Sequence, residues 1–106
     1  MATAKKNHEP EKDRLRKECG AWLKKHREAA GLSQREMAKL VKFDLFTFIS
    51  QVENGRRRIP PEHYHDWAQA LSMDTREFVA TLLFYYEPMT YEIIFKDRRQ
   101  SGATSV

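Results

Sequence analysis

Between Gly31 and Gly55 the chain has room for two short helices and the turn that joins them. Each glycine stands where a helix ends and a left-handed residue is wanted. Directly after Gly31, "SQRE" (33–36) is a capping box: Ser33 can accept from the backbone three residues on, and Glu36 can reach back. Met37, Ala38 and Val41 give this helix a short apolar face, so it runs only to about Val41. Asp44 is the next plausible N-cap. Leu45, Phe48, Ile49 and Val52 then fall at i, i+3, i+4 and i+7, the apolar stripe of a helix that Gly55 closes. Two helices joined by so short a link ("KFD", 42–44) form a helix-turn-helix. The stripe puts Leu45 and Phe48, with Phe43, into the core. It leaves Phe46, Thr47, Ser50, Gln51 and Asn54 on the outward face.

The flanks supply the rest of a small helical domain. Leu15, Cys19, Trp22, Leu23, His26 and Ala30 recur at helical spacing before Gly31. "RRRIPP" reads as a loop, with Pro61 in the first turn of a fourth helix that buries Tyr64, Trp67, Ala68 and Leu71. "DTRE" (74–77) is a second capping box, with Asp74 as cap, opening a fifth helix to about Tyr86. After Pro88, "MTYEIIF" alternates with period two, which favours a strand, although Pro88 can also open a short helix. The expected fold is all-α: a five-helix domain over residues 13–86 with a short apolar C-terminal extension, strand or helix, over 87–95. Residues 1–12 form a basic tail and 96–106 another polar tail, both expected to be disordered.

Composition narrows the chemistry. Residues 1–58 carry 15 Lys+Arg against 8 Asp+Glu, whereas residues 59–95 carry a single Arg76 against 6 acids. A basic half joined to an acidic half suggests a polyanion on one face. A lone cysteine excludes an intrachain disulfide and a multi-cysteine zinc site. His63 and His65, two apart on a helix, face different ways and make no metal pair. No catalytic constellation and no glycine-rich phosphate loop occurs, so the reading is of a non-enzyme without metal, cofactor or small-molecule ligand. No apolar run is long enough to span a membrane, and a cytoplasmic, nucleoid-associated protein is expected. A helix of this kind fits the major groove, about 12 Å wide. Lys42 in the turn and Arg56, Arg57 and Arg58 after the helix are then placed to neutralise phosphates.

Three stretches carry a resemblance: "KKHREAAGLSQREMAKL" (24–40), "ISQVENGRRRIP" (49–60) and "WAQALSMDTREF" (67–78). Together they resemble the lambda-repressor/Cro-like, or XRE-type, helix-turn-helix domains. The resemblance implies a lambda-repressor-like fold in which Gln34 binds a phosphate at the start of its helix. It implies base reading by Thr47, Ser50 and Gln51 and a DNA-backbone contact by Asn54; Phe46, outward by its position on the helix, has either a thymine methyl to read or the loop to cover. Arg27 and Glu53 match a partly buried structural ion pair. One departure lies in the turn. The spacing from Ala38 to Glu53 is one residue longer than in the family, and the turn glycine is replaced within Val41–Phe43.

The apolar side chains Phe84, Tyr85, Tyr86, Met89, Tyr91, Ile93, Ile94 and Phe95 exceed what so small a domain can hide, which marks an interface. A two-fold homodimer is the expected partner, pairing two recognition helices about 34 Å apart on double-stranded DNA with an inverted repeat. These expectations describe a homodimeric transcriptional repressor of a bacterium or phage, with its own promoter among the candidate operators. The alternative is an antitoxin or adaptor whose C-terminal half grips a protein.

Overall fold

The structure is a computed structural model that describes residues 9–96. Expectations about residues 1–8 and 97–106 fall outside it. Six α-helices follow in order: α1 (Glu9–Ala29), α2 (Gln34–Leu40), α3 (Thr47–Glu53), α4 (Tyr64–Ala70), α5 (Thr75–Tyr86) and α6 (Pro88–Tyr91). A 3-10 turn, Pro61–His63, leads into α4, and a π turn, Glu92–Lys96, follows α6. No strand occurs among the described residues.

Helix α1 begins at Glu9, so residues 9–12 belong to a helix and not to the expected tail. Local charge explains the extension. Arg14 pairs with Glu11 one turn back and with Glu18 one turn on, both at 2.7 Å, and pairs at these spacings lie on one face and favour the helical conformation of an exposed segment. At the other end Gly31 takes φ +75° and Leu32 N–H donates to Arg27 O at 3.2 Å, which ends the helix before Ala30. Ala30 is therefore exposed and not part of the apolar face.

Both halves of the Ser33 capping box form: Glu36 N–H donates to Ser33 Oγ at 3.0 Å, and Ser33 N–H donates to Glu36 Oε1 at 2.8 Å. That backbone donor holds the Glu36 carboxyl below its usual pKa. Asp74 caps α5 by accepting from Glu77 N–H at 3.1 Å.

The turn differs from expectation. Helix α3 starts at Thr47, its N-cap is Phe46 with no side-chain bond, and Asp44 caps nothing. The connection is thus residues 41–46, longer than three. Lys42, at φ +64°, supplies the left-handed step usually given to glycine, and Phe43 N–H returns to Ala38 O at 2.9 Å. Phe43 then packs on Phe48, with ring centroids 4.1 Å apart, and on His63 at 4.4 Å. Leu45, ahead of the helix, misses its stripe and is 68% exposed.

Helix α1 packs against α3 and α5, α2 against α3 and α4, and α4 against α5. Trp67, Phe78, Leu23, Met37, Ile49 and Leu82 are fully buried between them. The α1–α3 crossing is unusually close: a Cβ at Gly20 would stand 2.1 Å from Glu53 O. Gly20 is thus a packing residue and not a helix stop.

The C-terminal extension is helical. Pro88 opens α6, as proline can at a first turn, and Tyr91 N–H bonds Glu87 O at 2.9 Å. The strand suggested by alternation is overturned: along a helical path the Phe84 and Tyr91 rings meet edge to face at 5.5 Å, and the Tyr91 and Phe95 rings lie tilted at 4.8 Å.

Candidate nucleic-acid interface

One buried ion pair sets the position of α3. Arg27 Nε donates to Glu53 Oε2 at 2.6 Å and Nη2 to Oε1 at 3.1 Å, a bidentate contact between α1 and the last residue of α3. The side chains are only 8% and 4% exposed. Arg27 Nη1 also donates to Leu32 O at 2.7 Å, and Gln34 Nε2 to Glu53 Oε1 at 3.1 Å. Hydrogen bonding to Glu53 holds the Arg27 guanidinium above its ordinary pKa. Helices α1, α2 and α3 and the loop after α1 are therefore joined at one point, and the polar residues expected to form this pair do form it.

Ile49 and Val52 turn inward and are buried. Thr47, Ser50, Gln51 and Asn54 follow at i, i+3, i+4 and i+7 on another face of α3. Thr47 and Asn54 are exposed, and Ser50 and Gln51 are partly exposed. Among the described residues, Thr47, Ser50 and Gln51 make no side-chain hydrogen bond, so their donors and acceptors are open to a ligand. Phe46 is a different case. It is half-buried against the core, and the Arg35 guanidinium lies 4.2 Å from its ring centroid. Its surface is largely used within the protein, which argues against base contact.

The cations divide in the same way. Arg56 is exposed, and its N–H folds back to Gln51 O at 2.9 Å and Asn54 Oδ1 at 3.3 Å. Arg57 is exposed, with its guanidinium 5.5 Å from the Phe48 ring centroid. Lys42 is exposed at the turn. Arg58 is not available in this way: Nη1 donates to Glu87 Oε2 at 2.8 Å, and the guanidinium stacks 4.7 Å from the Tyr86 ring centroid. Its charge fastens the loop to the end of α5, so Arg58 leaves the phosphate-contact set. Gln34 keeps its place at the start of α2, but its amide N–H serves Glu53.

Tyr86 also changes role. It is 9% exposed, accepts from Ile59 N–H at 3.3 Å, and lies beside buried Cys19. Burial pushes the Cys19 thiol up to about 12 and the Tyr86 hydroxyl well above its ordinary value. Tyr86 is therefore core and not interface, and Cys19 is core as expected. Tyr85 is half-buried against Trp22, with centroids 6.4 Å apart. Phe84, Met89, Ile93, Ile94 and Phe95 remain exposed, Met89 most of all at 77%. A cavity of about 530 Å³ lies at the root of this extension, lined in part by Leu15, Arg16, Arg58, Tyr85, Glu87 and Met89. It lies between the early turns of α1 and the junction of α5 with α6, and sequence periodicity carries no signal for it.

Among the described residues no cluster of His, Cys, Asp or Glu could hold a metal ion, and no helix is long and apolar enough to cross a membrane. A short helix held by a buried ion pair, with a free polar face and arginines at its exit, defines a helix-turn-helix domain, the class used by DNA-binding regulators. The family model described as "Helix-turn-helix domain" matches residues 18–82, and this chain belongs to that family. Domains of this family are non-catalytic. A search of curated proteins finds no significant match.

Proposed function

We propose that this chain is a sequence-specific, double-stranded-DNA-binding transcriptional regulator. It acts as a homodimeric repressor that occupies an inverted-repeat operator, its own promoter being the first operator to test. The observation that carries the reading is the α3 face of Thr47, Ser50 and Gln51, polar and unpaired, with Arg56 and Arg57 following at its exit. Helix α3 enters the major groove, where Gln51 has the geometry for a bidentate bond to adenine N6 and N7. Asn54, Lys42, Arg56, Arg57 and the start of α2 at Gln34 bind the backbone. A nucleoid DNA partner places the protein in the cytoplasm.

Gln51→Ala is expected to cost about 1–3 kcal/mol on the preferred duplex and to relax preference at one base pair. Fluorescence anisotropy with preferred and scrambled duplexes checks this. An equal loss on both would remove Gln51 from base reading.

Dimerisation rests on the exposed extension. Phe84, Met89, Ile93, Ile94 and Phe95 line α5, α6 and the π turn, and α6 packs only onto α5 and the turn after it among the principal helix contacts. Ile93→Asp is expected to yield monomers by light scattering and to weaken operator binding steeply, with the fold retained by circular dichroism. A wild-type monomer that associates only with a second protein would instead favour the antitoxin or adaptor reading, to which the same exposed apolar surface also lends support.

A further inference from the structure

Helix α1 carries more charge than the helix-turn-helix needs. The family match begins at Glu18, yet α1 begins at Glu9. On the additional stretch Asp13, Arg16 and Lys17 stand at i, i+3 and i+4, with Gly20 at i+7. They share the α1 face that meets the end of α3. The two backbones touch there twice: at Gly20, and at Gly55, where a Cβ would lie 3.0 Å from Lys17 N. Gly55 has φ +85°, so the chain turns sharply under α1 and sends Arg56 back alongside it. The result is a cleft of about 470 Å³, lined by Asp13, Arg16, Lys17, Asn54, Gly55 and Arg56.

Its chemistry is selective. Three cations face one carboxylate, a formal surplus of two positive charges. Among the described residues none of the three cations takes part in an ion pair. A cation is therefore disfavoured, and the walls are too polar for a hydrocarbon. The cleft also adjoins the carboxyl end of α3, where helix carbonyls repel an anion. Arg16 and Lys17, contributed from outside the family domain, more than offset that repulsion. We propose that this cleft binds a phosphodiester of the DNA backbone flanking the bases read by α3, which extends the footprint of each subunit beyond the helix-turn-helix. The inference rests on the DNA-binding reading.

The test measures affinity against salt for the full chain on two duplexes: one selected by the wild type from a randomised pool, and a scramble of it. Arg16→Gln with Lys17→Gln is expected to make the slope of log K against log salt shallower by about 1.8 for the homodimer, because the cleft of each subunit gives up one neutralised phosphate and each contributes about 0.9. The loss should be equal on both duplexes, with the preference between them intact. Hydroxyl-radical footprints should lose their outermost protected backbone positions. Asp13→Asn removes the opposing charge and is expected to tighten both duplexes about threefold, as one charge several ångströms away in a water-like dielectric would. Arg76→Gln, on α5 in the acidic half, is the control and should leave the slope unchanged. An unchanged slope in the Arg16/Lys17 variant, with wild-type preference intact, overturns this proposal alone. So does tight binding of inorganic phosphate by the protein without DNA, which would assign the cleft to a free anion. A wild type that binds no duplex with preference overturns the DNA-binding reading and this one together.

Discussion

Gly20→Ala is expected to destabilise the domain by about 3 kcal/mol, among the larger effects of adding one methyl group. The new Cβ would stand 2.1 Å from Glu53 O, 2.5 Å from Glu53 C and 2.9 Å from Val52 O. All three are backbone atoms, so no side-chain rotation relieves the overlap. Either α1 or α3 must move bodily by an ångström or more. Alanine gains about 1 kcal/mol of helix propensity over glycine, too little to offset this. The apparent melting temperature should fall roughly 12–24 °C, at about 4–8 °C per kcal/mol for a domain of this size. Gly31→Ala separates sterics from backbone strain. Gly31 has φ +75° but nothing within 4 Å of its would-be Cβ, so only about 1 kcal/mol is at stake there. If thermal denaturation shows the two variants equally stable, the close α1–α3 crossing is wrong. Because the clash is with Glu53, Gly20→Ala should also tilt α3 and weaken operator binding more than its stability loss explains.

Glu53→Ala should cost about 3–5 kcal/mol, because it leaves the Arg27 guanidinium buried without its bidentate partner. It also strips Gln34 Nε2 of its acceptor. The charge cannot be shed, since arginine stays protonated across the accessible pH range. Replacing both partners by apolar side chains, Arg27→Met with Glu53→Leu, should recover much of the loss, since a well-packed apolar pair can match a buried ion pair. Recovery should remain incomplete, because Leu32 O loses the bond from Arg27 Nη1. Urea unfolding of the two single variants and the double variant measures this. A Glu53→Ala loss below about 1 kcal/mol would mean that the pair is solvated and does not orient α3.

Some of the interface was legible because its determinants are local. Ser33 and Glu36 are three apart, and both of their capping bonds form. Gly31 and Gly55 take the left-handed conformation at the helix ends where they were placed. The turn before α3 is less legible. Leu45 and Asp44 fit the rules for a stripe and a cap, but Lys42 adopts φ +64° and delays the helix to Thr47. A left-handed lysine leaves no local mark in sequence, because its strain is offset by Phe43 packing on Phe48 and on His63, a contact twenty residues away.

What the chain determines by itself, then, is where helices start and stop, which of their faces are apolar, and that a short helix ending at Glu53 carries an outward polar stripe. These follow from periodicity and capping, each confined to a few neighbouring residues. Tertiary structure alone decided that Arg58 serves Glu87, 29 residues away, and that Tyr86 belongs to the core. It alone set Gly20 against Glu53 and brought Arg16 and Lys17 beside Arg56. Such pairings depend on how helices cross, and crossing geometry is settled by packing summed over the whole core, where no single stretch of sequence records it.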